Sequence, residues 1–83
     1  MINIDDLYYS IENAILSNKK YFFVEISNIE MKNSEFIIFS NNDFKYKQRY
    51  YERAYNYDLT LKATNNIKIV KFGAFNNINQ LNK

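Results

Sequence analysis

The stretch NDFKYKQRYYERAYNYD, Asn42 to Asp58, is where charge, aromaticity and helical period coincide, and its reading decides how the remainder must pack. Phe44, Gln48, Tyr51 and Tyr55 recur at spacings of four, three and four, so they share one stripe of a helix, which Ala54 widens. That stripe is the expected core face. Tyr46, Tyr50, Arg53 and Tyr57 repeat the same spacings on a second stripe, with Lys45, Lys47 and Arg49 close by. This second stripe is the expected working surface, and Lys45, Tyr46, Arg49, Tyr50, Arg53 and Tyr57 are the candidate partner-binding residues. Tyrosine and arginine are common interface anchors and can also stack on bases or hold phosphates. Asp43, Glu52 and Asp58 reduce the net charge across residues 43–58 to +1, which weighs against phosphate binding more than against protein binding.

Outward from this helix, the preceding chain predicts a first helix over about residues 4–18. Ile4, Leu7, Tyr8, Ile11, Ala14 and Ile15 follow a helical period with one buried face. Asn3 or Asp5 can cap its start, Asp5, Asp6 and Glu12 suit its positive end, and Lys19 and Lys20 suit its negative end. The acidic group Asp5, Asp6, Tyr8, Tyr9 and Glu12 is a second candidate contact surface, for a basic partner.

Tyr21 to Ser27 reads as a strand with Phe22, Val24 and Ile26 on one side and Tyr21, Phe23, Glu25 and Ser27 on the other. Glu35 to Ser40 reads as its hairpin partner. The FIIF core of that partner, Phe36 to Phe39, is apolar on both faces, which places it inside a sheet. Tyr21, Phe23, Ile37 and Phe39 would form an apolar patch if the helices cover one side only.

After the central helix, Leu59 to Ala63 alternates, Asn65-Asn66 suits a tight turn with positive φ, and Ile67 to Phe72 reads as a further strand. Gly73 is placed to end or bulge it. The expected fold is α+β in the order helix-hairpin-helix-hairpin (αββαββ), a four-stranded, mainly antiparallel sheet packed by two helices. Residues 1–75 form a single domain in this reading, followed by a polar tail over 76–83.

At 83 residues the chain has room for one core and would bury roughly 60–65 % of its unfolded surface. Cysteine and histidine are both absent, which removes thiolate metal sites, disulfides and the commonest general base. Asp43 and Asp58 would stand roughly 20 Å apart along a helix, too far to share a metal. No Gly-rich phosphate loop is present. The expectation is therefore a non-enzyme with no cofactor and no metal. A net charge of +2 is too small for a long-range field, no apolar run reaches transmembrane length, and the opening residues MINIDDL carry acid where a secretory signal carries base. The chain is expected to be cytoplasmic, with no membrane partner.

Asn, Ile, Lys, Tyr and Phe supply 49 of the 83 residues. That composition, with no Cys, His or Pro, resembles the small phage and prophage proteins of AT-rich bacteria, and the run YYERAYNYDLTLKATNNIKIVKF, Tyr50 to Phe72, is similar in style to them. The resemblance implies a protein that binds a host protein or complex inside a bacterial cell, anti-CRISPR inhibitors being the best-known group. Inhibitors that mimic DNA are strongly acidic; this chain is not, so direct blocking of a host protein is the mode the resemblance leaves. The leading expectation is a non-catalytic inhibitor or regulator of a host nucleic-acid-handling complex. The alternatives are a small nucleic-acid-binding protein using the basic-aromatic helix and a structural homo-oligomer, a homodimer being allowed.

Overall fold

The structure, a computed structural model, describes residues 2–77. Helix α1 spans Ile4–Leu16 and buries Leu7, Ile11 and Ala14. Its N-cap is Asn3: the Asn3 side chain accepts from the Asp6 backbone N–H at 3.1 Å, while the Asn3 N–H donates to the Asp6 carboxylate at 2.9 Å. The two bonds satisfy donors that a helix start otherwise leaves free. At the other end Asn18 takes a left-handed φ of 56°, and the N–H groups of Lys19 and Asn18 turn back to the carbonyls of Ala14 and Ile15. This left-handed stop ends the helix before residue 18 and leaves Lys19 and Lys20 beyond it.

Strands β1 (Tyr21–Asn28) and β2 (Asn33–Ser40) form the expected antiparallel hairpin, with Phe22 opposite Phe39 and Val24 opposite Ile37. A single 3-10 turn, Asn41–Asp43, leads into α2 (Phe44–Ala54). Strand β3 (Ile67–Phe75) then pairs antiparallel with β1. Among the described residues the sheet has three strands, in the order β2-β1-β3. The α+β class is as expected; the four-stranded sheet with a second hairpin is not.

The missing strand is Leu59 to Ala63. Only two isolated bridges form near it, Tyr55 with Leu61 and Thr60 with Lys68. The Asp58 carboxylate accepts from both the Thr60 N–H at 3.1 Å and the Thr60 hydroxyl at 2.6 Å, and the Asn56 amide donates to the same hydroxyl at 3.1 Å. These side chains offer the backbone a local alternative to a ladder. Leu59 takes φ 72° and drops, fully buried, into the core, so the alternation that suggested a strand describes a plug. Asn65 and Asn66 turn without positive φ, since among the described residues only Asn18, Lys32 and Leu59 have it.

Strand β2, expected inside the sheet, is an edge, and β1 is the interior strand. Pairing fixes the faces: Phe22, Val24, Ile37 and Phe39 lie together, and both helices pack on that side through one cluster that includes Leu7, Ile11, Phe44, Tyr51, Leu59 and Ile69. Ile37 and Phe39 therefore leave the expected apolar patch, and Phe36 and Ile38 join Tyr21 and Phe23 on the outer face instead. In β3 the pairing slips between Glu25 and Ile26, leaving Val70 as the extra, exposed residue of a bulge. The slip lets Ile69 and Phe72 both face the helices although they are three apart in sequence. Gly73 neither ends nor bulges the strand. It lies opposite Phe23, and a Cβ there would meet the Phe23 ring at 3.0 Å, so the absent side chain makes room for that ring. Of the expected polar tail over 76–83, Asn76 and Asn77 are exposed; residues 78–83 lie outside the described residues.

Candidate protein-binding surface

The central helix is shorter than its 42–58 reading, but its buried stripe is as expected. Phe44, Gln48, Tyr51 and Tyr55 are all buried, Tyr55 as the extended residue that closes the helix. Gln48 is the buried polar member: its amide donates to the Tyr8 carbonyl and to Glu12 Oε1, both at 3.1 Å, and so ties α2 to α1. This gives part of the acidic end of α1 a structural use. Asp6 is engaged in the N-cap and Glu12 holds Gln48, while Asp5 is exposed and takes part in neither contact.

Outside the buried stripe, the six candidate residues separate into three places. Lys45, Tyr46, Arg49 and Arg53 line one shallow concavity on the outer face of α2. Tyr46 is 63 % exposed and stands beside a row of three cations, Lys45, Arg49 and Arg53, which their spacing of four aligns along one side of the helix. Tyr50 turns to the flank of the helix, edge-on to Tyr51 with ring centroids 5.3 Å apart. Tyr57 is 62 % exposed but lies past the end of the helix, where its carbonyl accepts the Ile4 N–H at 2.8 Å. The helical stripe that suggested Tyr57 stops at Ala54 because Tyr55 is already extended, with φ −117° and ψ 149°.

One side chain left out of that set is positioned more firmly than its members. Lys47 Nζ sits 5.6 Å from the ring centroids of both Phe39 and Tyr50 and 6.0 Å from that of Tyr51. A cation at that distance over aromatic faces is held by the ring quadrupoles. Its position, four before Tyr51 and three before Tyr50, carried the signal; what hid it was the unknown place of Phe39.

The electrostatics leave the buried phenols inert near neutrality. Burial, with smaller additions from Tyr55 and Tyr50, raises the Tyr51 phenol well above its ordinary value of 10.0. Burial first and Tyr50 second push Tyr55 up to about 12. At Asp58 the Thr60 hydroxyl and then the Thr60 N–H hold the carboxyl below its usual range. Among the described residues no three acidic, histidine or cysteine side chains gather closely enough to hold a metal ion, and no helix is long and apolar enough to cross a membrane.

Compared with protein-family models, with curated proteins and with solved structures, the chain matches none.

Proposed function

We propose that the chain is a non-catalytic binding module whose α2 concavity docks on an acidic surface of another protein. The observation that carries this reading is the grouping of Lys45, Arg49 and Arg53 around the exposed Tyr46 ring. The three cations form no ion pair within the described residues, so their charge is available to a partner. An amphipathic ring flanked by cations is the composition of an interface anchor. The lack of histidine and cysteine supports a role in binding over catalysis. The narrower reading, an inhibitor or regulator of a host nucleic-acid-handling complex of the phage type, is supported by the compositional resemblance alone.

The same cations favour a second reading, in which the acidic surface is a nucleic-acid backbone. The test captures bacterial-lysate partners on the immobilised wild-type chain and on the Tyr46→Ala, Arg49→Ala, Arg53→Ala triple variant, with and without nuclease. Proteins held by the wild type, lost by the variant and unaffected by nuclease are expected. Partners that vanish with nuclease, together with affinity for single-stranded DNA that falls steeply with salt, would select the second reading. Partners indifferent to the triple variant would move the site off α2. Since all three side chains are exposed, the variant should keep its thermal midpoint within the range of surface substitutions.

A further inference from the structure

We propose that the free edge of β2 pairs with the same edge of a second copy, antiparallel about a two-fold axis through Ile37, to make a continuous six-stranded sheet. Among the described residues β2 has a strand on one side only. An edge of eight residues presents unpaired backbone donors and acceptors and acts as a template for another strand unless lysine, proline or a bulge blocks it. The sequence NSEFIIFS, Asn33 to Ser40, contains neither lysine nor proline, and its register against β1 runs without a shift. Phe36 and Ile38 stand 55 % and 41 % exposed along it.

The occupant is chosen by complementarity. With Ile37 on the axis, Phe36 lies beside Ile38 of the second copy, Ser34 beside Ser40, and Glu35 beside Phe39. Moving the axis to Phe36 sets Ser34 against Ile38; moving it to Ile38 sets Phe36 against Ser40. An axis between residues would oppose side chains of different faces. Only the Ile37 axis also resolves the charges. Glu35 shares the helix-bearing face with Ile37 and Phe39, and Lys47 Nζ already sits over the Phe39 ring. Directly opposed residues have Cβ atoms about 5 Å apart, so Glu35 of the second copy arrives beside the ring that Lys47 covers. Neither side chain has an ion-pair partner within the described residues, and the symmetry makes the contact twice. The Lys47–Tyr50 flank of α2 continues this surface, whereas the Lys45–Arg53 concavity stays outside it, so the inference stands apart from the function proposed above.

Such an edge is short, about 26 Å, and the dimer should dissociate on dilution through the micromolar range. The experiment is sedimentation equilibrium of the full chain at rising concentration, with amide hydrogen exchange of β2. The wild type should pass from 10.0 kDa to twice that mass, with β2 amides slowing as it does. Glu35→Lys and Lys47→Glu should each weaken association about tenfold or more, because each sets like charges face to face, and the double variant should recover it. Ile38→Lys, a blocking lysine at an exposed position, should leave a folded monomer by circular dichroism and settles the matter if a charge variant fails to fold. A monomer at every concentration up to about 1 mM would overturn the proposal. So would a dimer that ignores these variants or forms without protecting β2.

Discussion

Gln48 Nε2 lies 3.1 Å from the Tyr8 carbonyl and 3.1 Å from Glu12 Oε1, so a single amide of α2 fixes its pitch against α1. Two helices resting on a sheet through apolar contacts alone could slide by a turn; a buried amide with two acceptors on one partner helix has one good position. The same contact places the outer face of α2, because rotating the helix to release Gln48 would carry Tyr46 and Arg53 toward the core.

Replacing Gln48 by Ala removes both bonds and leaves a small void, for an expected loss of about 1–3 kcal/mol. Urea unfolding should show a lower midpoint with an unchanged slope, since the change acts on the native state and not on its compactness.

Tyr51 is the reverse case. Its ring is buried, and its hydroxyl has no hydrogen-bond partner among the described residues. Burying a hydroxyl without compensation costs about 1–3 kcal/mol on mutational scales, so Tyr51→Phe should leave stability unchanged or raise it by up to about 1 kcal/mol. A fall in the thermal midpoint would show that the hydroxyl has a partner in solution.

Alkaline stability follows from the two raised phenols. The unfolded chain ionises its tyrosines from the ordinary value of 10.0, while Tyr51 and Tyr55 stay protonated when folded. The folded state then binds more protons than the unfolded one, and stability falls as pH rises. The contribution is fully present below pH 10, and for Tyr55 it is lost as pH climbs from there through about 12. Phenolate absorbance should show two late-titrating phenols, and one in Tyr51→Phe.

Both buried stripes of the helices were legible in the residues because a 3.6-residue period leaves no choice of face once the apolar positions are marked. The sheet was less so. Phe36 to Phe39 is apolar at every position, so its parity, and whether it lay inside or at the edge, depended on pairing that local sequence does not carry. The bulge at Val70 changes parity within β3. Leu59 to Ala63 alternates by coincidence, and the Asp58–Thr60 hydrogen bonds that override it are a side-chain competition no periodicity count detects. At the candidate surface, Lys45, Tyr46, Arg49 and Arg53 were readable from helical spacing, while the divergence of Tyr57 depended on where the helix ends and that of Tyr50 on its contacts with Tyr51 and Lys47.

Leu59 combines full burial with a left-handed backbone, two demands that oppose each other in a substitution series. Leu59→Ala should cost about 2–5 kcal/mol from lost packing. Leu59→Gly loses one carbon more but relieves the positive φ. The Gly variant is therefore expected to be no less stable than the Ala variant, against the usual order in cores. Thermal melts of the pair measure it, and a Gly variant lower by about 1 kcal/mol or more would mean that residue 59 relaxes to another conformation.

Strand order also governs how the molecule assembles. β1 meets β2 across a short hairpin, but its other edge waits for β3, with Asn28 finding Ile67 nearly forty positions later. Closing that span costs chain entropy before any pairing repays it, so the nonlocal β1–β3 ladder is expected to form after the hairpin. On the ribosome both helices and the first hairpin emerge before β3 exists. Until its synthesis is complete, the nascent chain carries an open edge on β1, the strand that the finished sheet encloses on both sides.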